Sequence, residues 1–173
     1  MVKLWARKRG IYSNIYGYLG GISWSILVAQ TCISFPNFEV NRLFYMFFYL
    51  FSVWKWPQPV ILTSIDVPEY DDIKLGVNIW NPNLNQDDCG HLMPIITPSF
   101  PQFNTSVNVT KTTLRIIKKE FKRAYVTLKK RTTDFEGTIK ELYMPFKITL
   151  EYNLYLKLEL MADDPINFHR WVG

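Results

Sequence analysis

The sequence predicts a mainly α fold, a helical domain interrupted by an extended proline-rich excursion and followed by a strand-patterned tail. Three observations carry this. Apolar residues recur at helical spacing from Ile22 to Cys32 and again through Leu114, Ile117, Phe121, Ala124 or Tyr125, and Leu128. Between them, Leu43 to Trp54 is apolar but for Ser52 as a small polar group. Prolines at 57, 59, 68, 82, 94, 98 and 101 then exclude a long helix across that stretch.

In chain order, Val2 to Arg9 reads as the end of a helix, with Lys3 and Arg7 four residues apart on one face and Gly10 placed for a left-handed cap. Gly17, Gly20 and Gly21 punctuate an aromatic connection, and a helix starts at the Gly20-Gly21 pair. Free backbone N–H groups at such a start, with Lys3 and the Tyr12 hydroxyl nearby, are the parts of a phosphate site. Glycines before a helix are more often only a loop, so spacing alone does not decide it.

The run from Leu43 to Trp54 is too short to span a membrane, which takes about 20 apolar residues, and it is bracketed by Arg42 and Lys55 and stopped by Pro57. Apolar on every side, it reads as a buried core helix, joined to the Ile22 to Cys32 helix across Pro36-Asn37 as a helical hairpin. The excursion from Pro57 to Gln102 has room for brief strands at Val60 to Thr63 and Val77 to Trp80. Its acidic pairs, Tyr70-Asp71-Asp72 and Asp87-Asp88, invite a two-metal reading. Neighbouring loop aspartates are usually solvated, so no metal site is assigned.

From Asn108 to Arg131 the pattern is that of an amphipathic helix capped by Asn108 or Thr110. Lys111, Arg115, Lys118 and Lys122 form a stripe along another face. From Ile148 to Ala162 apolar and polar residues alternate as in a half-buried strand, with no partner strand of similar quality after it.

Charge is unevenly spread. Residues 1–55 carry six Lys/Arg against one acid, 56–107 one against six, 108–131 nine against one, and 132–173 four against seven. Two basic blocks around an acidic one suit a polyanion binder. Two cysteines and two isolated histidines offer neither a disulfide framework nor a metal or nucleophile setting, which suits a reducing compartment and leaves no catalytic residue to name. No secretory signal pattern opens the chain, and the sequons at Asn104 and Asn108 match a pattern that arises often by chance.

The string VKLWARKRGIYSN, continued by GYLGGISWSILVAQTC, resembles the start of the central domain of eukaryotic nuclear poly(A) polymerases, whose pattern runs IKLWAxRRxxYxNxxGFxGGVxWAxLVAR. SVWKWPQPVIL, IWNP and HLMPIITPSFPQFNTSVNV resemble later landmarks of that family in the same order, and the likeness fades after about Arg131. It implies a helical central domain over residues 1–143 and, over 144–173, the first strand and helix start of an RRM-like RNA-binding domain. It implies that Lys3 and Tyr12 reach the triphosphate of ATP, Asn14 hydrogen-bonds the incoming nucleotide, Gly20 and Gly21 allow close backbone approach, and Ile22 packs on the adenine. Ile22 stands where the family often has Val, and Leu19 where some members have Pro.

The function implied is template-independent addition of AMP from ATP to mRNA 3′ ends in the nucleus, with RNA held partly by Lys111, Arg115, Lys118 and Lys122. The Asp-x-Asp after a Gly-Ser or Gly-Gly turn that binds Mg or Mn in this family is lacking, so the metals belong to a missing catalytic domain and the fragment is inactive alone. Expected partners are that domain, the RNA 3′ end, ATP and 3′-end processing factors, with no membrane. Two alternatives stay open: a non-catalytic basic helical module binding RNA or protein, and a tailing enzyme with another base preference.

Overall fold

A computed structural model describes residues 1–65, 78–130 and 135–147, together with 152–154, 156, 157, 159 and 161. Helix α1, Val2–Lys8, buries Val2, Trp5 and Ala6, a face set by three- and four-residue spacing. It stops because Gly10 turns left-handed at φ 69°, and the Ile11 amide then closes on the Ala6 carbonyl at 3.0 Å. This is the cap expected from the sequence.

Helix α2, Gly21–Ser34, begins at the glycine pair and buries Ser23, Trp24, Ile26, Leu27 and Thr31. After a turn in which Phe35 and Phe38 stack at 5.2 Å, helix α3, Val40–Val53, runs back as the second arm of the expected hairpin. It is not buried all round. Phe47, Phe48 and Phe51 are buried, whereas Tyr49 and Val53 are exposed. The reason is packing: α2 and α5 cover only part of the circumference of α3, so Val40, Tyr49 and Val53 face outward.

A single helical turn α4, Gln86–Cys89, lies in the excursion. Helix α5, Lys111–Lys129, follows with Thr110 rather than Asn108 as its cap: the Thr113 amide donates to Thr110 Oγ1 at 3.2 Å and the Thr110 amide to Thr113 Oγ1 at 2.9 Å. Helix α6, Phe135–Leu142, packs on α5 and holds Gly137 within it. The main contacts run α3 to α5, α2 to α3, α5 to α6 and α1 to α2.

The core is aromatic. Phe121 of α5 lies with its ring 5.9 Å from Trp5, 5.8 Å from Trp24, 5.8 Å from Phe47 and 5.7 Å from Phe51, so one side chain joins α1, α2, α3 and α5. Beside it lies a buried ion cluster. Glu120 Oε2 accepts from Arg9 Nε at 2.8 Å and from Arg123 Nε at 2.9 Å, and both arginines also donate to backbone carbonyls at the α6 end, Arg9 to Met144 and Arg123 to Leu142.

The excursion forms isolated bridges, Val60 to Ile95 in parallel and Ile96 to Asn104 in antiparallel, in place of the strand expected at Val60 to Thr63. Val77 lies outside the described residues, and Asn78, Ile79 and Trp80 form no strand. Both sequon asparagines are structurally engaged: buried Asn104 accepts from the Ile95 amide at 3.0 Å, and Asn108 Nδ2 donates to the Asn14 carbonyl at 3.1 Å. Residues 70–72 lie outside the described residues, as do 148–151, 155, 158, 160 and 162 of the expected strand and the expected helix start at 166–173. The residues of that strand that are described are not in β structure.

Candidate nucleotide-contacting site at the start of helix α2

The segment between α1 and α2 is a tight reversal built to hold side chains. Tyr12 and Leu19 bridge, the Ser13 amide donates to the Leu19 carbonyl at 3.1 Å, and the Tyr18 amide returns to the Ser13 carbonyl at 3.2 Å. Ser13 carries a φ of 95°, unusual for a residue with a side chain. Gly17, at φ 76°, is required by both conformation and space, because a Cβ there would meet the Asn108 carbonyl at 3.1 Å and Thr113 Cγ2 at 3.3 Å. The reversal is thereby seated against the start of α5. Trp24 fastens the other side by donating its indole N–H to the Leu19 carbonyl at 3.1 Å.

This scaffold converges on the first turn of α2. A Cβ built on Gly21 would stand 3.0 Å from Tyr12 Oη and 3.8 Å from Lys3 Nζ, and one on Gly20 would stand 4.0 Å from Asn14 Cβ. The five residues Lys3, Tyr12, Asn14, Gly20 and Gly21 therefore surround one spot. No side chain caps α2, so its first N–H groups are left for an outside acceptor. Among the described residues Lys3 makes no ion pair and the Tyr12 hydroxyl no hydrogen bond. Ile22, 61% exposed, projects from the same turn as an apolar surface beside these polar groups. An unpaired cation, a free phenol, uncapped amides and an apolar platform suit a phosphorylated molecule bearing a flat ring.

Two partners of this site were not assigned from the sequence. Ser23 ties the α2 start to the excursion, its Oγ lying 2.9 Å from Thr105 Oγ1 and 3.2 Å from the Thr105 carbonyl. Asn108 anchors the Asn14 backbone. A lone Ser or Asn carries no periodic signal, and only the fold brings residues about 80 and 90 positions away to the reversal.

The structure does not bring the four α5 cations to this cluster. At about 100° per residue, Lys111, Arg115, Lys118 and Lys122 fall within roughly 60° of one another, whereas Thr113, which packs on Gly17, lies on the far side of the helix. All four are exposed, and among the described residues no acid pairs with them. Among the described residues, which do not include Asp71 and Asp72, no three His, Cys, Asp or Glu side chains group together. No described helix is long and apolar enough to cross a membrane.

The family model for the poly(A) polymerase central domain matches residues 1–145. The chain belongs to this family. It is 38% identical over 172 residues to nuclear poly(A) polymerase 1 of Arabidopsis thaliana and to poly(A) polymerase of Dictyostelium discoideum, and 37% identical over 174 residues to nuclear poly(A) polymerase 4 of Arabidopsis thaliana. Each match covers 99% of this chain but 23%, 20% and 22% of the respective relative. The chain thus spans about a fifth of the length of the curated relatives it matches. Within this central domain, the four segments that carried the resemblance meet at two places: the string at 2–32 builds the α1–α2 reversal, and those at 52–62, 79–82 and 91–109 form the bridged excursion.

Proposed function

We propose that this chain is the nucleotide-contacting part of a nuclear poly(A) polymerase that adds AMP from ATP to RNA 3′ ends without a template. The convergence of Tyr12 Oη and Lys3 Nζ on Gly21 is the observation that carries the reading, because it leaves charge, donors and space together at an uncapped helix start. Lys3 and Tyr12 take the triphosphate, the Gly20-Gly21 backbone lies against it, Asn14 bonds the base or sugar edge, and Ile22 packs on the adenine. The divalent ions, Mg or Mn, are taken to be held by carboxylates of a catalytic domain, the place of the family's Asp-x-Asp. Residues 144–173 are taken as the start of an RRM-like domain, and 3′-end processing factors as further partners. Nuclear placement follows the names of the Arabidopsis relatives.

The α5 stripe faces away from the nucleotide cluster and acts on RNA phosphates by sequence-independent attraction. In a polymerase completed with the parts of a relative that this chain does not cover, Lys118→Ala with Lys122→Ala is expected to flatten the log–log salt slope of oligo(A) binding by about 1.4, one single-strand contact each. Tyr12→Phe or Asn14→Ala is expected to raise the ATP KM by about two- to twelvefold, the worth of one neutral hydrogen bond, and to leave that slope alone. An unchanged slope in the lysine pair, together with a lowered slope in Asn14→Ala, would show that the stripe is only a solvated face.

A further inference from the structure

The Tyr12 hydroxyl lies at the α2 start without a hydrogen bond among the described residues. Something other than a polar partner must therefore hold it. The half-buried side chain packs against the core. Over its face stands the guanidinium of Arg7, 4.8 Å from the ring centroid. Arg7 projects from the last turn of α1, one helical turn beyond Lys3, and makes no ion pair among the described residues. A guanidinium on an aromatic face is an attractive contact, and it is planar and permanently charged.

We infer that Arg7 is a positioning residue, which clamps the Tyr12 ring by its face so that the phenol hydroxyl is held at the N-terminus of α2, where it donates to a phosphate oxygen. This rests on the nucleotide reading above and adds to it a residue that acts through Tyr12. The rival role for Arg7, direct contact with the phosphates, makes different predictions. A clamp loses its value once the hydroxyl is gone, whereas an independent cation keeps it.

The test uses the full 173-residue chain, followed by NMR during titration with ATP and with inorganic triphosphate. In the absence of ligand, Arg7→Met is expected to move the Tyr12 ring resonances toward those of a free tyrosine, and Arg7→Lys, which keeps a cation over the ring, to move them less. With ligand, Arg7→Met and Tyr12→Phe are each expected to weaken binding by about two- to tenfold, and the double variant no further than the weaker single variant. Unmoved Tyr12 resonances in Arg7→Met would overturn the clamp. So would a double variant whose loss is the product of the two single losses, which assigns Arg7 to the phosphates directly. If neither ligand perturbs the Gly21, Ile22 and Ser23 amides of the unsubstituted chain, the nucleotide reading itself fails, and the ring resonances alone then decide whether Arg7 holds Tyr12.

Discussion

Phe121→Ala is expected to cost about 3 to 5 kcal/mol of unfolding free energy, the range found when a buried aromatic is truncated and its neighbours cannot collapse. Collapse is blocked here because the four rings around Phe121 come from three other helices: Trp5 from α1, Trp24 from α2, and Phe47 and Phe51 from α3. Each of those rings is itself braced, Trp5 on Phe48 at 4.8 Å, Trp24 on Trp5 at 5.8 Å, Phe47 on Phe48 at 5.2 Å and Phe51 on Trp54 at 5.7 Å. Urea unfolding should show a midpoint lowered by about 1.5 to 2.5 M at an unchanged slope, whereas Val126→Ala on the exposed side of α5 should stay within about 0.5 kcal/mol. A Phe121→Ala loss below about 1 kcal/mol would mean that the aromatic cluster is not the core of this domain.

Glu120→Gln is expected to cost about 3 kcal/mol, at the low end for breaking a buried ion cluster, because Arg123 keeps partial solvent access. The amide leaves Arg9 and Arg123 without their counter-charge while their backbone bonds to Met144 and Leu142 remain. Stability should also follow pH. Burial raises the Glu120 carboxyl, but hydrogen bonds from Arg9 and Arg123 and their charges outweigh it, so its pKa lies below the ordinary 4.5. A carboxylate depressed in the folded state binds fewer protons than in the unfolded one. Its contribution is therefore complete above the ordinary value and is lost as pH falls below it through the depressed value. Thermal midpoints of the parent protein should drop over that acid range, and those of Glu120→Gln should drop less. Parallel curves for the two would place the acid sensitivity elsewhere.

Several elements are legible in the sequence because local rules govern them. Gly10 ended α1 as a left-handed cap, the glycine pair opened α2, and Thr110 lay among two candidate caps for α5. What was not legible depends on who packs against whom. The Leu43 to Trp54 run contains nothing to show that only part of α3 would be covered, and the short α6, with Gly137 inside it, packs on α5, which its local sequence does not reveal. The ion cluster joins residues 9, 120 and 123, a separation at which periodicity says nothing. At the site, spacing suggested a phosphate cradle and the resemblance named its residues. Only the fold shows that Lys3, Tyr12 and Asn14 reach the same glycine pair while the α5 cations turn away.

The central claim, that the backbone of Gly21 is left bare so that a triphosphate can lie against it between Tyr12 and Lys3, is tested most directly by Gly21→Ala. The added methyl would sit 3.0 Å from Tyr12 Oη and 3.8 Å from Lys3 Nζ, so it crowds the phenol hydroxyl and occupies the cradle. Alanine at a helix start does not cost stability. The Gly21→Ala chain should melt close to the parent in a thermal scan, and NMR titration of the 173-residue chain with ATP should show an affinity about tenfold or more weaker, from a lost hydrogen bond and a weakened charged one. A folded Gly21→Ala chain that binds ATP as tightly as the parent, with the same shifts at Ile22 and Ser23, would contradict it.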